Sequence, residues 1–216
     1  MVEIVCVFLY CYYWNIKIIM SNKNIDLLYW NYFLALENKL VTISNFIELN
    51  KDNYKTFSIE IAHLFLSASS EVDVILRELI YKNDKSKEKE KLNIKDFKNF
   101  IKNNYKNFID EKVYINRYNI SFQPWKSWDK DFNPAWWNSY NNVKHTRSTF
   151  FNEANLENLL FSMGSLLISI FYFYLDEIKT IKNENVSFLE VTRYLEPKTS
   201  LIALNENYYY DILILS

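Results

Sequence analysis

The chain has 216 residues, half of them hydrophobic, which is enough for one globular domain with a substantial core and excludes a disordered protein. One glycine and three prolines are too few for a Rossmann fingerprint, a P-loop or a many-stranded sandwich, which all need glycines at their turns. The net charge is −1, but residues 82–155 hold 15 Lys and Arg against 9 Asp and Glu, and this basic middle permits contact with a polyanion.

The first 24 residues are interpreted as an N-terminal extension. Their apolar stretch, residues 4–14, is shorter than a membrane span and has neither a basic flank nor a small-residue cleavage site. Because Met20 is followed by the polar run SNKN, a translation start at Met20 is an equally good interpretation. The only two cysteines, Cys6 and Cys11, are too few for a disulfide framework, which favours a reducing, cytoplasmic compartment.

Apolar residues recur at three- and four-residue spacing along much of the chain and predict helices. Ser58, with Glu60 close behind it, is a natural N-cap for the second of them. A β-strand is predicted where residues alternate between apolar and polar, over 113–122. The predicted helices span residues 25–43, 58–82, 94–109, 134–149 and 153–178. The expected fold is therefore mainly α, a bundle of four to five helices with a small β element.

The longest apolar stretch is residues 159–175, with 17 uncharged residues in a row. This length is at the lower limit for a transmembrane helix. The stretch directly follows three polar residues, Asn155, Glu157 and Asn158. Serines also recur along one side of it. We therefore interpret it as the central core helix of a soluble protein that does not contact a membrane.

The tail, residues 179–216, differs in composition from the helical part. The runs VSFLEVTRYL and LIALNENYYYDILIL are rich in β-forming residues and are interrupted by Pro197 and by residues 205–207, which predicts a hairpin or a few strands. The expected organisation is an extension over residues 1–24, a helical domain over 25–178, and a β-rich tail packed on that domain.

The stretch PAWWNSYNNVKHTR, residues 134–147, concentrates polar and aromatic side chains on one predicted helix. Asn141 and His145 are one helical turn apart, so both address the same small group, with Lys144 adjacent. Pro134 suits a first helical turn, and free N–H groups near a helix start favour an anion.

An imidazole, an amide and an ammonium around a phosphate are the groups that metal-free RNA cleavage needs. The 2′-hydroxyl must lose a proton, the leaving oxygen must gain one, and the developing negative charge must be stabilised. The alternative interpretation is that His145 is partly buried and hydrogen-bonded, and only fixes a helix junction.

Three segments together resemble HEPN-like helical proteins of bacteria, many of which are linked to toxin–antitoxin or phage-defence systems. They are SASSEVDVILRELI, PAWWNSYNNVKHTR and FFNEANLENLLFSMGSLLISIFYFY, and the resemblance covers residues 25–178. It implies a helical bundle that dimerises and brings two copies of an Arg-x4–6-His motif into one cleft. It also implies a metal-independent endoribonuclease without a cofactor.

His145 corresponds to the histidine of that motif and Asn141 to the polar residue four positions before it. Tyr140 stands where the family has arginine, so Lys144 and Arg147 are the candidates to hold the phosphate. On an ideal helix Arg147 points about 160° away from His145.

Two acidic residues on the second helix, Glu71 and Asp73, match the acidic position that many members place beside the motif. Asp73 also has the spacing for an ion pair with Arg77, which is the alternative interpretation.

Further candidates for RNA contacts are Trp125, Lys126 and Trp137. Trp125 and Trp128 flank Lys126, and their rings could stack on bases, although tryptophans at such positions also fill the interior of a bundle. Trp137 lies on the same side of the predicted helix as His145 and is expected to be exposed unless an interface covers it. His63 is interpreted as a core or edge histidine and not as a ligand, and no zinc site is predicted because the two histidines are far apart.

Two functional hypotheses follow. The first is a metal-independent endoribonuclease that acts as a toxin in phage defence or in a toxin–antitoxin system. It would work as a homodimer with His145 of each subunit near the symmetry axis. The second is a non-catalytic relative, a binding or antitoxin-type module for a protein or nucleotide partner. The expected partners are RNA, a second copy of the chain and a cognate toxin or antitoxin.

Overall fold

The structure is a computed structural model that describes residues 25–209. The proposed extension, with Met20, Cys6 and Cys11, lies outside these residues. Within them the chain forms six α-helices and one small antiparallel sheet, so the mainly α class is confirmed. The elements are α1 (Leu28–Ser44), α2 (Ile59–Asn83), α3 (Ile94–Asn104), β1 (Val113–Ile115), β2 (Ile120–Phe122), α4 (Ala135–Phe150), α5 (Leu156–Lys182) and α6 (Phe188–Tyr194).

Helix α5 is the centre of the bundle. It packs along α2 in the most extensive helix–helix contact of the described chain, and α1, α4 and α6 also pack against it. It is the one helix among residues 25–209 that is long and apolar enough to cross a membrane, and 89 % of its most apolar window is buried inside the protein. Its serines satisfy their hydroxyl groups within the helix, as when Ser169 donates to the Ser165 carbonyl at 2.8 Å.

The starts of the predicted helices agree with the structure within about three residues, and side chains cap those of α2, α3 and α5. Ser58 accepts a hydrogen bond from the Ile61 N–H at 3.1 Å, as predicted, and Asn155 accepts one from the Asn158 N–H at 3.1 Å. The third predicted helix is too long, since α3 ends at Asn104. There Tyr105 leaves the helical conformation, and its hydroxyl donates to Asp176 of α5.

Residues 113–122 form a hairpin and not the single predicted strand. Strands β1 and β2 pair with Val113 opposite Phe122, and Asn119 in the turn has φ 50°, a left-handed conformation that asparagine tolerates. The hairpin lies against α5 at Gly164. A Cβ there would be 2.7 Å from Phe122 Cε2 and 3.0 Å from Val113 Cγ2, so the close approach requires glycine.

The prediction of strands for the run VSFLEVTRYL is wrong, because this run contains helix α6. Ser187 caps the helix and Glu190 bonds back to the Ser187 N–H at 2.9 Å. This capping box outweighs the β propensity of the run. The β contact of the described tail is one bridge, in which Tyr114 and Ala203 exchange two backbone bonds of 2.8 Å. Residues 210–216 lie outside the described part.

A buried carboxylate attaches the tail to the bundle. Glu37 on α1 is only 1 % exposed. Its two oxygens accept backbone N–H bonds from Ser200 at 2.9 Å, Leu201 at 3.0 Å and Ile202 at 2.9 Å. The Ser200 hydroxyl donates a fourth bond at 3.2 Å. These bonds replace the water that the carboxylate loses on burial.

A second buried carboxylate, Glu111, lies between the hairpin and α5 with no cation bonded to it among the described residues. It accepts hydrogen bonds from the hydroxyls of Tyr172 at 2.9 Å and Tyr208 at 3.0 Å. Burial raises the pKa of the Glu111 carboxyl, and the two hydroxyl bonds oppose that rise only in part. At a pH between the ordinary glutamate pKa and the raised pKa of the folded protein, the folded chain holds a proton that the unfolded chain has released. The free energy of unfolding therefore falls as the pH rises through this range.

We expect a Glu111→Gln variant to lose this pH dependence because its amide does not ionise. As the pH rises above the ordinary glutamate pKa of about 4.3, the free energy of unfolding of the parent should fall relative to that of the variant. Urea titrations at each pH measure the difference, with the exposed Glu88→Gln as the control. A difference between Glu111→Gln and the parent that stays constant with pH would contradict the prediction.

Candidate functional site

Helix α4 carries the polar and aromatic motif and is broken within it. It begins at Ala135 directly after Pro134, and Thr146 has non-helical angles of φ −141° and ψ 51°. His145 is therefore the last residue before the break, about 15 Å along the axis from Ala135. The free N–H groups at the start of this helix were expected to help bind an anion beside His145. That expectation is wrong because of this distance. The end of a helix instead favours a cation.

Three basic residues are exposed around the break, and we call them the α4 basic cluster: Lys144, His145 and Arg147. Their side chains form no hydrogen bond or ion pair with another described residue, and Lys144 Nζ lies 5.3 Å from the centre of the Tyr140 ring. His145 is exposed and unbonded, so the interpretation of it as a buried junction residue is wrong. The angle expected for Arg147 assumed an unbroken helix and does not apply beyond Thr146.

Asn141 lies half-buried one turn before His145. Its amide group donates to the Trp137 carbonyl at 2.9 Å. One N–H of the amide is thus engaged within the helix, which leaves the other N–H and the side-chain oxygen Oδ1 for a ligand.

Tyr140, at the position of the arginine in the HEPN-like motif, is 5 % exposed. Its ring packs edge-on against Trp137 with centroids 5.7 Å apart. The side chain at this position therefore belongs to the core, and any positive charge for a phosphate must come from other residues.

Neither acidic candidate on α2 bonds to the α4 basic cluster among the described residues. Asp73 binds Arg77 at 2.7 and 3.1 Å, and Arg77 also donates to the Leu92 carbonyl at 2.9 Å, so the ion-pair interpretation is confirmed. Glu71 lies on the side of α2 that faces α1. Burial raises the pKa of the Glu71 carboxyl. The pKa of Tyr29 on α1 is also raised, mainly by burial and in part by the negative charges of nearby acidic residues, of which Glu71 is one.

Trp125 and Trp128 fill the interior of the bundle and cannot stack on bases without unfolding. Both are 0 % exposed, and their rings lie 4.4 Å apart. Phe108 packs against both, at 5.6 Å and 6.4 Å. The assignment of Trp125 to RNA binding is therefore wrong. Lys126 between them is exposed, but it forms ion pairs with Asp110 and Asp129.

Trp137 is also buried, at 7 % exposure. Its ring meets Phe97 of α3 edge-to-face at 6.1 Å. Its predicted exposure is wrong because the ring packs against Phe97 of α3 and against Trp136 and Tyr140 of its own helix. It contributes neither to RNA binding nor to an interface between subunits.

Sequence reasoning missed a surface cleft between the first turns of α4 and the start of α5. The cleft has a volume of about 610 Å³. The sequence contains one indication of this cleft, the polar run NEANLEN at residues 152–158. This run includes the start of α5 and supplies five of the residues that line the cleft. Its lining consists of Lys55, Phe57, Ala135, Trp136, Ser139, Asn152, Glu153, Asn155, Glu157, Asn158 and Phe161.

Between residues 25 and 209, no three His, Cys, Asp or Glu side chains are grouped so that they could hold a metal ion. His63 is exposed at the edge of the bundle on α2. No protein-family model, curated protein or solved structure matches the chain.

Proposed function

We propose that the protein is a metal-independent endoribonuclease that binds RNA at the α4 basic cluster and acts as a toxin in phage defence or in a toxin–antitoxin system. The observation that carries the proposal is the exposure of Lys144, His145 and Arg147 around one helix break, without an acidic partner among the residues described. Unpaired cations on an exposed surface attract phosphates. The site requires no cofactor and the protein acts in the cytoplasm.

Each residue of the cluster has a role in this chemistry. His145 removes the proton from the 2′-hydroxyl or returns one to the leaving oxygen, the role that histidine most often has in general acid–base catalysis. Arg147 and Lys144 stabilise the negative charge that develops on the phosphate. Asn141 Oδ1 accepts a hydrogen bond from the ribose.

The alternative is a non-catalytic HEPN-like module that binds a protein or nucleotide partner or acts as an antitoxin. The burial of Tyr140 favours it, because the position that holds the phosphate in the family motif offers no charge to a ligand.

A His145→Ala variant is expected to cleave structured RNA at least about 100-fold more slowly than the parent, with EDTA present in both assays, because general acid–base catalysis contributes about that much. His145 is exposed, so the variant should fold normally. His63→Ala replaces the other exposed histidine and should cleave at the parent rate. In cells, the parent and His63→Ala should arrest growth and His145→Ala should not.

Equal cleavage by the parent and His145→Ala would contradict the proposal, as would activity that EDTA removes. RNA binding without cleavage, weakened in a Lys144→Ala/Arg147→Ala double variant, would favour the non-catalytic alternative.

The protein is expected to be a homodimer in solution. One His145 cannot serve as both base and acid in the same step, and a two-fold axis through the cluster would supply the second imidazole. Light scattering measures the mass, and mixing His145→Ala with the parent should lower the activity per parent subunit. A monomer that cleaves RNA at the same rate at every dilution would rule out this assembly.

A further inference from the structure

We propose that the cleft between α4 and α5 binds one nucleobase of the RNA strand whose phosphates contact the α4 basic cluster. This inference rests on the proposed function and identifies a subsite for it. The cleft volume of about 610 Å³ falls in the range of sites that bind small molecules.

The apolar walls of the cleft are aromatic and are held in place by their neighbours. Phe57 is 48 % exposed and packs edge-on against Phe151 at 5.5 Å. Phe161 stacks on Phe122 at 4.6 Å. Trp136 also lines the cleft but is 1 % exposed and offers no free ring face, so Phe57 and Phe161 are the rings available to a base. Aromatic faces that are already fixed suit a planar ring, because bases stack on them with little loss of side-chain freedom.

The polar groups of the cleft favour a neutral ligand over a phosphate. Lys55 is the only cation in the lining, and Glu157 binds it at 2.7 Å. Glu153 adds a second carboxylate, so the lining has a net charge of −1. A phosphate would be repelled by this charge.

Unused hydrogen-bonding groups of both kinds remain around the cleft. The Ser139 hydroxyl and the Asn152 side-chain amide have no partner among the described residues, and both can donate and accept. Glu153 Oε2 accepts a hydrogen bond from the Asn142 amide at 3.0 Å, which leaves the other carboxylate oxygen as an acceptor. The edge of a nucleobase also presents donors and acceptors side by side.

One row of side chains connects the cleft to the basic cluster. The row consists of Ser139, Asn142 and His145 on α4. Each is three residues from the next, and residues at this spacing are neighbours on a helix surface. Asn142 bonds to Glu153 of the cleft. His145 lies about 9 Å further along the axis than Ser139, so one short RNA strand can contact the cleft and the cluster together.

The test uses the full chain carrying His145→Ala, which separates binding from cleavage. Calorimetry measures the affinity of adenosine, guanosine, cytidine and uridine, none of which carries a phosphate. We expect at least one nucleoside to bind with a Kd below about 10 mM. Adding Ser139→Phe, which fills the cleft, should weaken that binding at least about tenfold, and adding Asn152→Ala should weaken it severalfold. Thr42→Phe, which places the same ring on another helix surface, should leave it unchanged.

A second arm distinguishes a base of RNA from a free nucleoside. The His145→Ala protein should bind a short single-stranded RNA more tightly than the same strand without bases, and Ser139→Phe should remove that preference. The proposal is overturned if no nucleoside binds, if Ser139→Phe and Asn152→Ala bind as well as the starting protein, or if the baseless strand binds equally well. These results do not depend on catalysis, so a chain that binds nucleosides but never cleaves RNA would contradict only the proposed nuclease.

Discussion

Replacement of Glu37 by alanine is expected to lower the free energy of unfolding by about 3 kcal/mol, because one buried and two partly buried backbone N–H groups would lose their acceptor and an unsatisfied buried donor costs about 1–3 kcal/mol. The melting temperature should fall by about 10 °C. The affected N–H groups belong to Ser200, Leu201 and Ile202, so protease cleavage in the tail should also become faster.

Urea unfolding of the parent and the variant measures this loss. Glu48→Ala provides the control, since Glu48 is an exposed glutamate and its replacement should change stability by no more than about 0.5 kcal/mol. If Glu37→Ala unfolds with the same free energy as Glu48→Ala, the carboxylate does not hold the tail.

Replacement of Trp125 by alanine should have an effect of similar size, about 3–5 kcal/mol, because it removes a fully buried indole and leaves a cavity beside Phe108 and Trp128. RNA affinity, measured by anisotropy at a temperature where the variant remains folded, should equal that of the parent. The same two measurements on Phe132→Ala serve as the control, because this ring is 68 % exposed.

The two possible roles of Trp125 predict opposite results. An aromatic ring that stacks on bases would lose about 1–3 kcal/mol of RNA affinity on truncation with little effect on folding. Weaker RNA binding with unchanged stability would therefore contradict the buried position of this side chain.

Most helices could be predicted because their signals are local. The spacing of apolar residues and a capping side chain at Ser58 or Asn155 define α2 and α5 within a few residues. Helix α6 was missed because Val, Phe, Thr and Tyr suggested a strand, although Ser187 and Glu190 already had the spacing of a capping box. The early end of α3 depends on the contact of Tyr105 with α5, which no local pattern contains.

The site was predictable only in part for the same reason. The spacing of Asn141, Lys144 and His145 follows from the helix alone, whereas the break at Thr146 does not. Trp137 was assigned to the exposed side of α4 because a helical projection does not show that Phe97 of α3 packs against it. The cleft combines three segments that are distant in sequence, around residues 55–57, 135–139 and 152–161.

The bond between Glu37 and the Ser200 backbone joins positions that are 163 residues apart. A ribosome makes the first helix long before it makes the N–H groups that this carboxylate needs. Until the backbone N–H groups of the tail are synthesised, Glu37 must stay hydrated. The face of α1 that carries Glu37 cannot be buried before then. The final packing of the first helix is therefore a late event that follows synthesis of the tail. A ribosome that stops early releases a chain whose first helix bears an unmatched charge, and such a chain is a substrate for proteases.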